Sequence, residues 1–253
     1  MGAVFEAADE KEGRTVALKI LHSELTADRD VRRRFQREAS LLRALDHPRV
    51  VNLLDVGTSE DEKLYTVMEL LDGETLLEFL EREGPLGAQA VLPIVEGIAA
   101  GLEAVHAHGV IHGDLKPANV FLEGADGTVK LLDFGLSKVL GLERLTRTGE
   151  LIGTPAYMAP ELLTGKGELD ERIDTYSFGI LIYQCLAGAP PFRGNNPGKL
   201  MMDIVMGNAA SLADAAPAVS GVVSAVVMTA ISRQRERRFH SAQALARAFR
   251  DAA

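Results

Sequence analysis

The chain has a single cysteine among its 253 residues. One cysteine cannot form an internal disulfide, so the sequence favours a reducing compartment, and we expect a cytoplasmic location. The residue, Cys185, stands in the apolar run 180–187. Such a position predicts a small side chain buried in the core, with a structural rather than a chemical role.

The chain also lacks a surplus of basic residues. Lys and Arg number 27 against 36 Asp and Glu, for a formal net charge of −9. A general nucleic-acid binder has the opposite balance, so nucleic acid is not an expected partner. The N-terminus has no basic stretch followed by an apolar one, so no signal peptide is expected. We also expect no apolar run long enough to span a bilayer, and hence no membrane partner for this chain.

The residue pattern changes near residue 71. Before that point, strands are predicted over 15–21, 50–56 and 64–70, with one helix over 28–45. After it, helices are predicted around the apolar stripe 94–105 and over 174–187, 219–232 and 241–252, with a loop-rich centre from 112 to about 161. The change predicts a small strand-rich lobe, residues 1–71, hinged to a larger helical lobe, residues 72–253.

Two charged residues of the first lobe are predicted to face inward. Lys19 lies in the otherwise apolar strand 16–20, where an ammonium must reach solvent or find a partner. Glu38 lies three residues after Phe35 and four before Leu42, so it faces the apolar side of its helix. The two can form an ion pair with each other, although either residue alone is more typical of a partly exposed charge.

The loop-rich centre carries the most specific pattern. Residues 112–119 read His-Gly-Asp-Leu-Lys-Pro-Ala-Asn, and residues 133–135 read Asp-Phe-Gly. Phosphoryl transfer needs a carboxylate that orients the attacking hydroxyl, oxygen ligands for magnesium, and positive charge on the phosphates. The groups that can supply these are Asp114, Asn119, Asp133, Lys116 and Lys19. Capping of turns explains any one of them, but not all of them in this order.

With these motifs the sequence resembles a eukaryotic-type (Hanks-type) serine/threonine protein kinase. The resemblance covers nearly the whole chain and rests on Val-Ala-Leu-Lys at 16–19, Glu38, the two central motifs, Gly-Thr-Pro-Ala-Tyr-Met-Ala-Pro-Glu at 153–161, Asp-Thr-Tyr-Ser-Phe-Gly at 174–179, and Arg238. Residues 71–76 and 83–86 are similar to bacterial members. The resemblance implies an α+β fold of two lobes that form one kinase domain. It also implies transfer of the γ-phosphate of Mg-ATP to Ser or Thr hydroxyls of proteins.

The resemblance implies a role for each matching residue. Asp114 is the expected catalytic base, Lys116 a γ-phosphate contact, and Asn119 and Asp133 the magnesium ligands. Lys19, paired with Glu38, is expected to hold the α- and β-phosphates. The other expected ATP-binding residues are Gly2, Val4, Ala17, Met68, Glu69, Leu71 and Phe121, with 68–71 as the adenine hinge. Thr154 is expected to contact the catalytic loop, and Glu161, Asp174 and Arg238 are expected to be structural.

The chain departs from the family pattern at the phosphate-covering loop. Of Gly-x-Gly-x-x-Gly-x-Val only Gly2, Ala3 and Val4 are present, so the first strand and two glycines are expected to be missing. We interpret Met1 as an internal methionine and expect about 10–20 further residues upstream, enough for a strand at ~3.3 Å per residue. An in-frame stop codon directly before Met1 would contradict this interpretation.

A second departure is Gly113, where many relatives carry an arginine that binds a phosphorylated loop residue. Without that arginine, we expect weaker control by loop phosphorylation. Thr146 and Thr148 in the activation loop are nevertheless candidate autophosphorylation sites. The alternative is that they are exposed hydroxyls with no regulatory effect.

Two other functions stay open from the sequence. Kinase-like small-molecule phosphotransferases share His-Gly-Asp, but they do not usually carry Leu-Lys-Pro-x-Asn, Asp-Phe-Gly or the segment 153–161. A pseudokinase, which is a scaffold domain without turnover, is suggested by the incomplete glycine loop. The intact Lys19, Glu38, Asp114, Asn119 and Asp133 oppose it, so the protein kinase is the favoured interpretation.

Overall fold

The computed structural model describes residues 2–21, 39–134, 155–165, 169–194 and 196–253. Its first part is a four-stranded antiparallel sheet of β1 (Gly2–Asp9), β2 (Arg14–Leu21), β3 (Leu53–Thr58) and β4 (Leu64–Glu69), in the order β1-β2-β4-β3. The strands predicted over 15–21 and 64–70 are confirmed to within one residue. The predicted helix 28–45 lies mostly outside the described residues, of which 39–43 are helical.

A second sheet of three strands follows in the chain. It contains β5 (Gly73–Thr75), β6 (Val120–Glu123) and β7 (Thr128–Leu131) in that order. The loop-rich centre predicted from 112 to about 161 therefore contains a β-hairpin over 120–131. Strands of four residues show too little alternation to stand out in the sequence, and the turn between them uses Gly124 and Gly127 at positive φ.

The segment before β3 joins the second sheet rather than the first. Leu131 N donates to Arg49 O at 2.9 Å, and Val51 N donates to Leu131 O at 3.0 Å. Val50 accordingly forms an isolated parallel bridge with Leu131. The predicted strand 50–56 is thus wrong at its start, because residues 49–51 are hydrogen-bonded to β7.

The rest of the chain is helical. The helices are α1 (Leu76–Glu83), α2 (Ala88–Ala107), α3 (Pro160–Thr164), α4 (Arg172–Ala187), α5 (Pro197–Met206), α6 (Leu212–Ala215), α7 (Gly221–Ala230) and α8 (Ala242–Ala252). The helices predicted at 174–187, 219–232 and 241–252 are confirmed as α4, α7 and α8. Ser220 and Ser241 cap the N-termini of α7 and α8 by accepting a backbone N–H three residues on.

Helix α4 is the centre of the helical lobe. All residues from 173 to 186 are buried, so this helix is buried on every side, as its nearly all-round apolar sequence predicted. Cys185 is fully buried within it, and this burial raises the pKa of its thiol to about 12. The prediction of an inert core cysteine agrees with this environment.

Helix α2 corrects one expectation from the sequence. With 20 residues and high mean hydropathy, it is long and apolar enough to cross a membrane by length and composition. The sequence-based expectation that no stretch reaches this length is therefore wrong. In the fold, however, nine of its residues are buried against neighbouring elements, which is the packing of a core helix.

Two glycines of α2 allow that helix to approach β7 closely. A Cβ atom at Gly97 would lie 2.6 Å from the side chain of Val129, and one at Gly101 would lie 2.8 Å from Arg49 O and from the Leu131 side chain. Real Cβ atoms do not approach other atoms so closely. The close contact fixes the position of β7, which is followed within two residues by Asp133.

Candidate active site

Asp114 is held by two side chains of its own loop. Lys116 Nζ lies 2.7 Å from Asp114 Oδ2, and Asn119 Nδ2 donates to the same oxygen at 2.9 Å and to Asp114 O at 2.8 Å. Pro117 begins the short 3-10 turn Pro117–Asn119 that places Asn119 back over Asp114. Because both side-chain contacts fall on Oδ2, Oδ1 is the oxygen that can accept a hydrogen bond from an incoming hydroxyl.

The backbone in front of Asp114 is fixed by a buried carboxylate. Asp174, in the first turn of α4, accepts hydrogen bonds from His112 N at 2.8 Å and from Gly113 N at 2.7 Å. His106 Nε2 lies 2.6 Å from the same carboxylate. Burial alone would raise the pKa of Asp174, but His106 and the Gly113 amide lower it overall. Gly113 has a φ of 72°, a conformation that glycine adopts at least cost.

Lys19 and Asp133 form an ion pair between the two sheets. Lys19 Nζ lies 2.5 Å from Asp133 Oδ1, and the lysine is buried. Asp133 has a φ of 56°, a left-handed conformation that is uncommon outside glycine and is found at functional sites. Glu38, the partner predicted for Lys19, lies outside the described residues, so that pairing stays a prediction.

Phe134 and His112 pack against each other behind the site. Their ring centroids lie 4.8 Å apart at an interplanar angle of 52°, and both side chains are buried. Burial lowers the pKa of His112, although the carboxylates of Asp174, Asp114 and Asp133 act in the opposite direction. His112 is therefore neutral at physiological pH, and its ring serves as an apolar support for Phe134.

The residues predicted to bind ATP share one face of the first sheet. Val4 lies directly opposite Lys19, and Ala17 lies directly opposite Met68. Opposite residues of an antiparallel pair, and residues two apart in a strand, point to the same face. Val4, Ala17, Lys19 and Met68 therefore line one surface.

The predicted ATP-binding set also includes Gly2, Leu71, Phe121 and Glu69. Gly2 begins β1, Leu71 is packed against the core, and Phe121 lies on β6 of the second sheet. The carboxylate of Glu69 is engaged by Asn52 N and Lys130 Nζ, each at 2.8 Å from Oε1. A contact between Glu69 and a nucleotide would therefore come from its backbone.

The residues expected to be structural are brought together below the catalytic loop. Arg238 Nη1 and Nη2 lie 2.7 and 2.9 Å from the two carboxylate oxygens of Glu161, a bidentate pair. The guanidinium also lies 4.7 Å from the ring centroid of Tyr176 and donates to Ser232 O at 2.8 Å. This pair ties α3, which follows the activation segment, to the C-terminal part of the lobe.

The predicted metal ligands have the right donor chemistry for magnesium. The amide nitrogen of Asn119 is used by Asp114, which leaves its carbonyl oxygen for a cation, and Asp133 adds carboxylate oxygens. Within the described ranges no group of three His, Cys, Asp or Glu side chains is placed to hold a metal. A set of two oxygen ligands fits Mg²⁺, which takes its remaining ligands from water and nucleotide phosphates. Thr146, Thr148 and Thr154 lie outside the described residues.

Two residues near the site were not recognised as part of it from the sequence. His106 contacts Asp174, and this contact depends on how α2 packs against α4. Lys130 gives no signal in the sequence either, because it alternates with the buried Val129 and Leu131 as a polar residue on the outer face of a strand does.

Residues 1–249 match the family model of the protein kinase domain. The chain is 38% identical over 253 residues to the serine/threonine-protein kinase pkn2 of Myxococcus xanthus, covering 97% of this chain and 30% of that protein. It is 35% identical over 252 residues to the serine/threonine-protein kinase PknH of Mycobacterium tuberculosis, covering 100% of this chain and 40% of that protein. The chain thus spans about a third of the length of these relatives.

Solved structures agree with the sequence relatives. The kinase domain of Mycobacterium tuberculosis PknI superposes with a TM-score of 0.80 at 28% identity, covering 100% of this chain and 92% of that one. Rad53 in complex with AMP-PNP superposes with a TM-score of 0.79 at 29% identity, covering 97% of this chain and 60% of that one. The β-sheet lobe and the helical lobe described above are shared with both.

Proposed function

Since the chain belongs to the protein kinase family, we propose that its site transfers the γ-phosphate of Mg-ATP to Ser or Thr hydroxyls of proteins. The observation that carries the proposal is the way in which Asp114 is held. Lys116 and Asn119 contact one of its oxygens, and Asp174 binds the backbone N–H groups of the two residues before it. The family match and the serine/threonine kinase relatives support the same reaction.

In the proposed reaction Asp114 would orient the substrate hydroxyl through Oδ1 and accept its proton. Lys116, on the other oxygen of Asp114, would offset charge on the transferred phosphate. Lys19 would exchange Asp133 for the α- and β-phosphates, and Asp133 and Asn119 would hold the magnesium ion. When bound, that ion supplies positive charge that offsets the charge on the phosphate oxygens.

The segment after the activation loop favours a protein substrate over a small molecule. Tyr157, in the 3-10 turn Pro155–Tyr157, donates through its hydroxyl to Gln184 Oε1 at 2.5 Å, and its carbonyl accepts from Ser177 Oγ at 2.8 Å. Both partners belong to the buried helix α4. A segment anchored in this way offers a fixed surface for a peptide.

The proposal is tested by γ-phosphate transfer from Mg-ATP to a generic basic protein and to the chain itself. The experiment uses the chain together with whatever its reading frame encodes upstream, and it includes Asp114→Asn and Asp133→Ala. We expect transfer to serine or threonine, shown by phosphoamino-acid analysis, and a loss of about 10²–10⁴-fold in Asp114→Asn. We expect no detectable transfer in Asp133→Ala.

Other outcomes would support one of the two alternative functions. ATP binding without transfer, in folded protein, would identify a pseudokinase. Transfer to an aminoglycoside or choline in preference to protein would identify a small-molecule phosphotransferase. The cytoplasmic location remains part of the proposal and rests on the single buried cysteine.

A further inference from the structure

A partly buried lysine joins the two sheets behind the proposed nucleotide site. Lys130 lies on β7, its side chain is 13% exposed, and its Nζ lies 2.8 Å from Glu69 Oε1 and 3.3 Å from Glu123 Oε2. Glu69 is the last residue of β4 in the first sheet, whereas Glu123 belongs to β6 in the second. One ammonium group therefore bridges the sheets at the point where the chain passes from one lobe to the other.

Glu69 is held from a second direction. Asn52 N donates to Glu69 Oε1 at 2.8 Å, and Glu69 N donates to Asn52 O at 3.1 Å. Asn52 directly follows the residues 49–51 that are hydrogen-bonded to Leu131 of β7. The bonds thus form a closed ring from β7 through 49–52 to Glu69 and back through Lys130, so the end of β4 cannot move away from β7 without breaking one of them.

The bridge stays charged at neutral pH. Burial opposes the charge of Lys130, but the hydrogen bonds and the charges of Glu69 and Glu123 outweigh it and raise the pKa of the ammonium. The two carboxylates are themselves about one-third exposed. The ring is therefore a charge-assisted contact at the edge of solvent rather than a deeply buried pair.

The bridge lies beside the residues proposed to contact adenine. Phe121 is directly opposite Lys130 in the β6–β7 register, so both side chains point to the same face. Because Lys130 reaches the first sheet, that shared face is the one turned towards β4. Met68, which precedes Glu69, lies opposite Ala17 on the surface proposed to cover the nucleotide. Because neighbouring side chains of a strand alternate, the side chain of Glu69 leaves β4 on the face opposite to Met68. Lys130 and Glu69 thus tie the end of β4 to β7 from behind the proposed adenine slot.

The height of this slot, which is the distance between the strands above and below the base, affects how tightly the base is held. Aromatic bases are held mainly by close contact on both faces, and a gap of ~0.5–1 Å already forfeits a quarter to a half of the dispersion energy. The phosphates, in contrast, are held by charge and tolerate a small displacement better. A contact that fixes the distance between β4 and β7 will therefore affect the base more than the phosphates.

From this arrangement we propose that Lys130 is a positioning residue for the nucleotide base, which acts through Glu69 to fix the height of the adenine slot and so sets the preference for a purine. The inference rests on the proposed function, because it takes ATP as the ligand. It assigns Lys130 no contact with the reacting atoms.

The test compares Lys130→Met, Lys130→Arg and Glu69→Gln with the unaltered chain. The matched control is Lys63→Met, which removes an exposed lysine that lies 3.9 Å from Asp61 on the first sheet. For each variant we would measure kcat, the KM for ATP and for CTP, the Kd for Mg-ATP by calorimetry, and the inhibition constant of tripolyphosphate, which has no base.

We expect Lys130→Met to raise the KM and Kd for ATP roughly three- to tenfold, the range for a partly exposed charge-assisted contact. Its kcat and tripolyphosphate inhibition should stay within about twofold, and the ratio of KM for CTP to KM for ATP should fall, because the smaller base loses less contact. Lys130→Arg should retain most of the ATP affinity. Glu69→Gln should lie between the two, and Lys63→Met should match the unaltered chain.

Three results would overturn the inference. The first is an unchanged ATP affinity in Lys130→Met. The second is an equal weakening of ATP and tripolyphosphate, which would indicate a general loss of structure. The third is an altered kcat with unaltered KM. Calorimetry keeps this inference separate from the proposed function: binding of ATP without turnover would overturn the function, while the Kd series would still decide the role of Lys130.

Discussion

The two lobes hold their functional side chains in different ways. In the helical lobe, Asp114 is contacted by two side chains, and the backbone before it is tied to the fully buried Asp174. In the strand-rich lobe, the charged end of Lys19 is described with one partner, Asp133, which itself belongs to the other lobe. The helical lobe therefore has its catalytic geometry before any ligand arrives, whereas the position of Lys19 depends on what it binds. Four predictions test this difference, beginning with the largest expected effect.

The first prediction concerns the anchor of the catalytic loop. Asp174→Ala would leave the amides of His112 and Gly113 and the ring of His106 without their buried acceptor. We expect the free energy of unfolding to fall by about 3–5 kcal/mol, as when a buried charge loses its partner. Urea titration measures this loss. A cost below 1 kcal/mol would show that the helical lobe does not depend on this anchor.

The second prediction concerns the contact between α2 and β7. Gly101→Ala would place a Cβ atom 2.8 Å from Arg49 O and from the Leu131 side chain. We expect a loss of about 1–3 kcal/mol from overpacking, together with lower activity because β7 leads to Asp133. The control is Gly221→Ala in α7, where a Cβ atom meets nothing within 4 Å. If both variants unfold at the same temperature as the unaltered chain, close packing here is not required.

The third prediction concerns the strand-rich lobe. Lys19→Met removes the ion pair with Asp133, whose side chain is about a quarter exposed. We expect a cost of about 1–3 kcal/mol in stability, less than for Asp174→Ala because water can reach the carboxylate of Asp133 that is left behind, but a complete loss of phosphate transfer. Thermal unfolding and transfer assays on the same sample check both parts. A loss of stability equal to that of Asp174→Ala would remove the contrast between the lobes.

The fourth prediction concerns the stability of the fold at acidic pH. Burial lowers the pKa of His112 below its ordinary value of 6.5. As the pH falls through 6.5, the unfolded chain binds a proton that the folded chain does not, so stability decreases from there down to the lower folded-state pKa. Unfolding midpoints measured between pH 7.5 and 5.5 should fall in the unaltered chain and fall less in His112→Phe. Parallel profiles would contradict this assignment.

Much of the fold could be predicted from the sequence, for identifiable reasons. Helix α4 and strand β4 are long, strongly apolar segments, and their bounds were predicted to within two residues. Strand β6 was missed because it has only four residues. The start of β3 was misplaced because residues 49–51 pair with a strand 80 residues later in the chain, and no local pattern reports such pairing.

The residues of the site likewise fall into those that the sequence predicts and those that it does not. Motifs identified Asp114, Lys116, Asn119, Asp133 and Lys19, because these residue types in this order are specific to one chemistry. The supporting contacts of His106 and Lys130 depend on which elements pack together, and one sequence does not contain that information. The division of the chain at residue 71 and the individual roles of the site residues stay predictions that the experiments above can decide.

The ion pair between Lys19 and Asp133 has a consequence for how tightly a nucleotide can bind. In the proposed reaction both residues have partners on Mg-ATP, so binding is an exchange in which one contact is given up and two are formed. The pair is then a built-in competitor, and the apparent affinity is lowered by the fraction of molecules in which it is closed. Because one charged contact is given up for the two that form, added salt should weaken nucleotide binding by less than the two new contacts alone would imply.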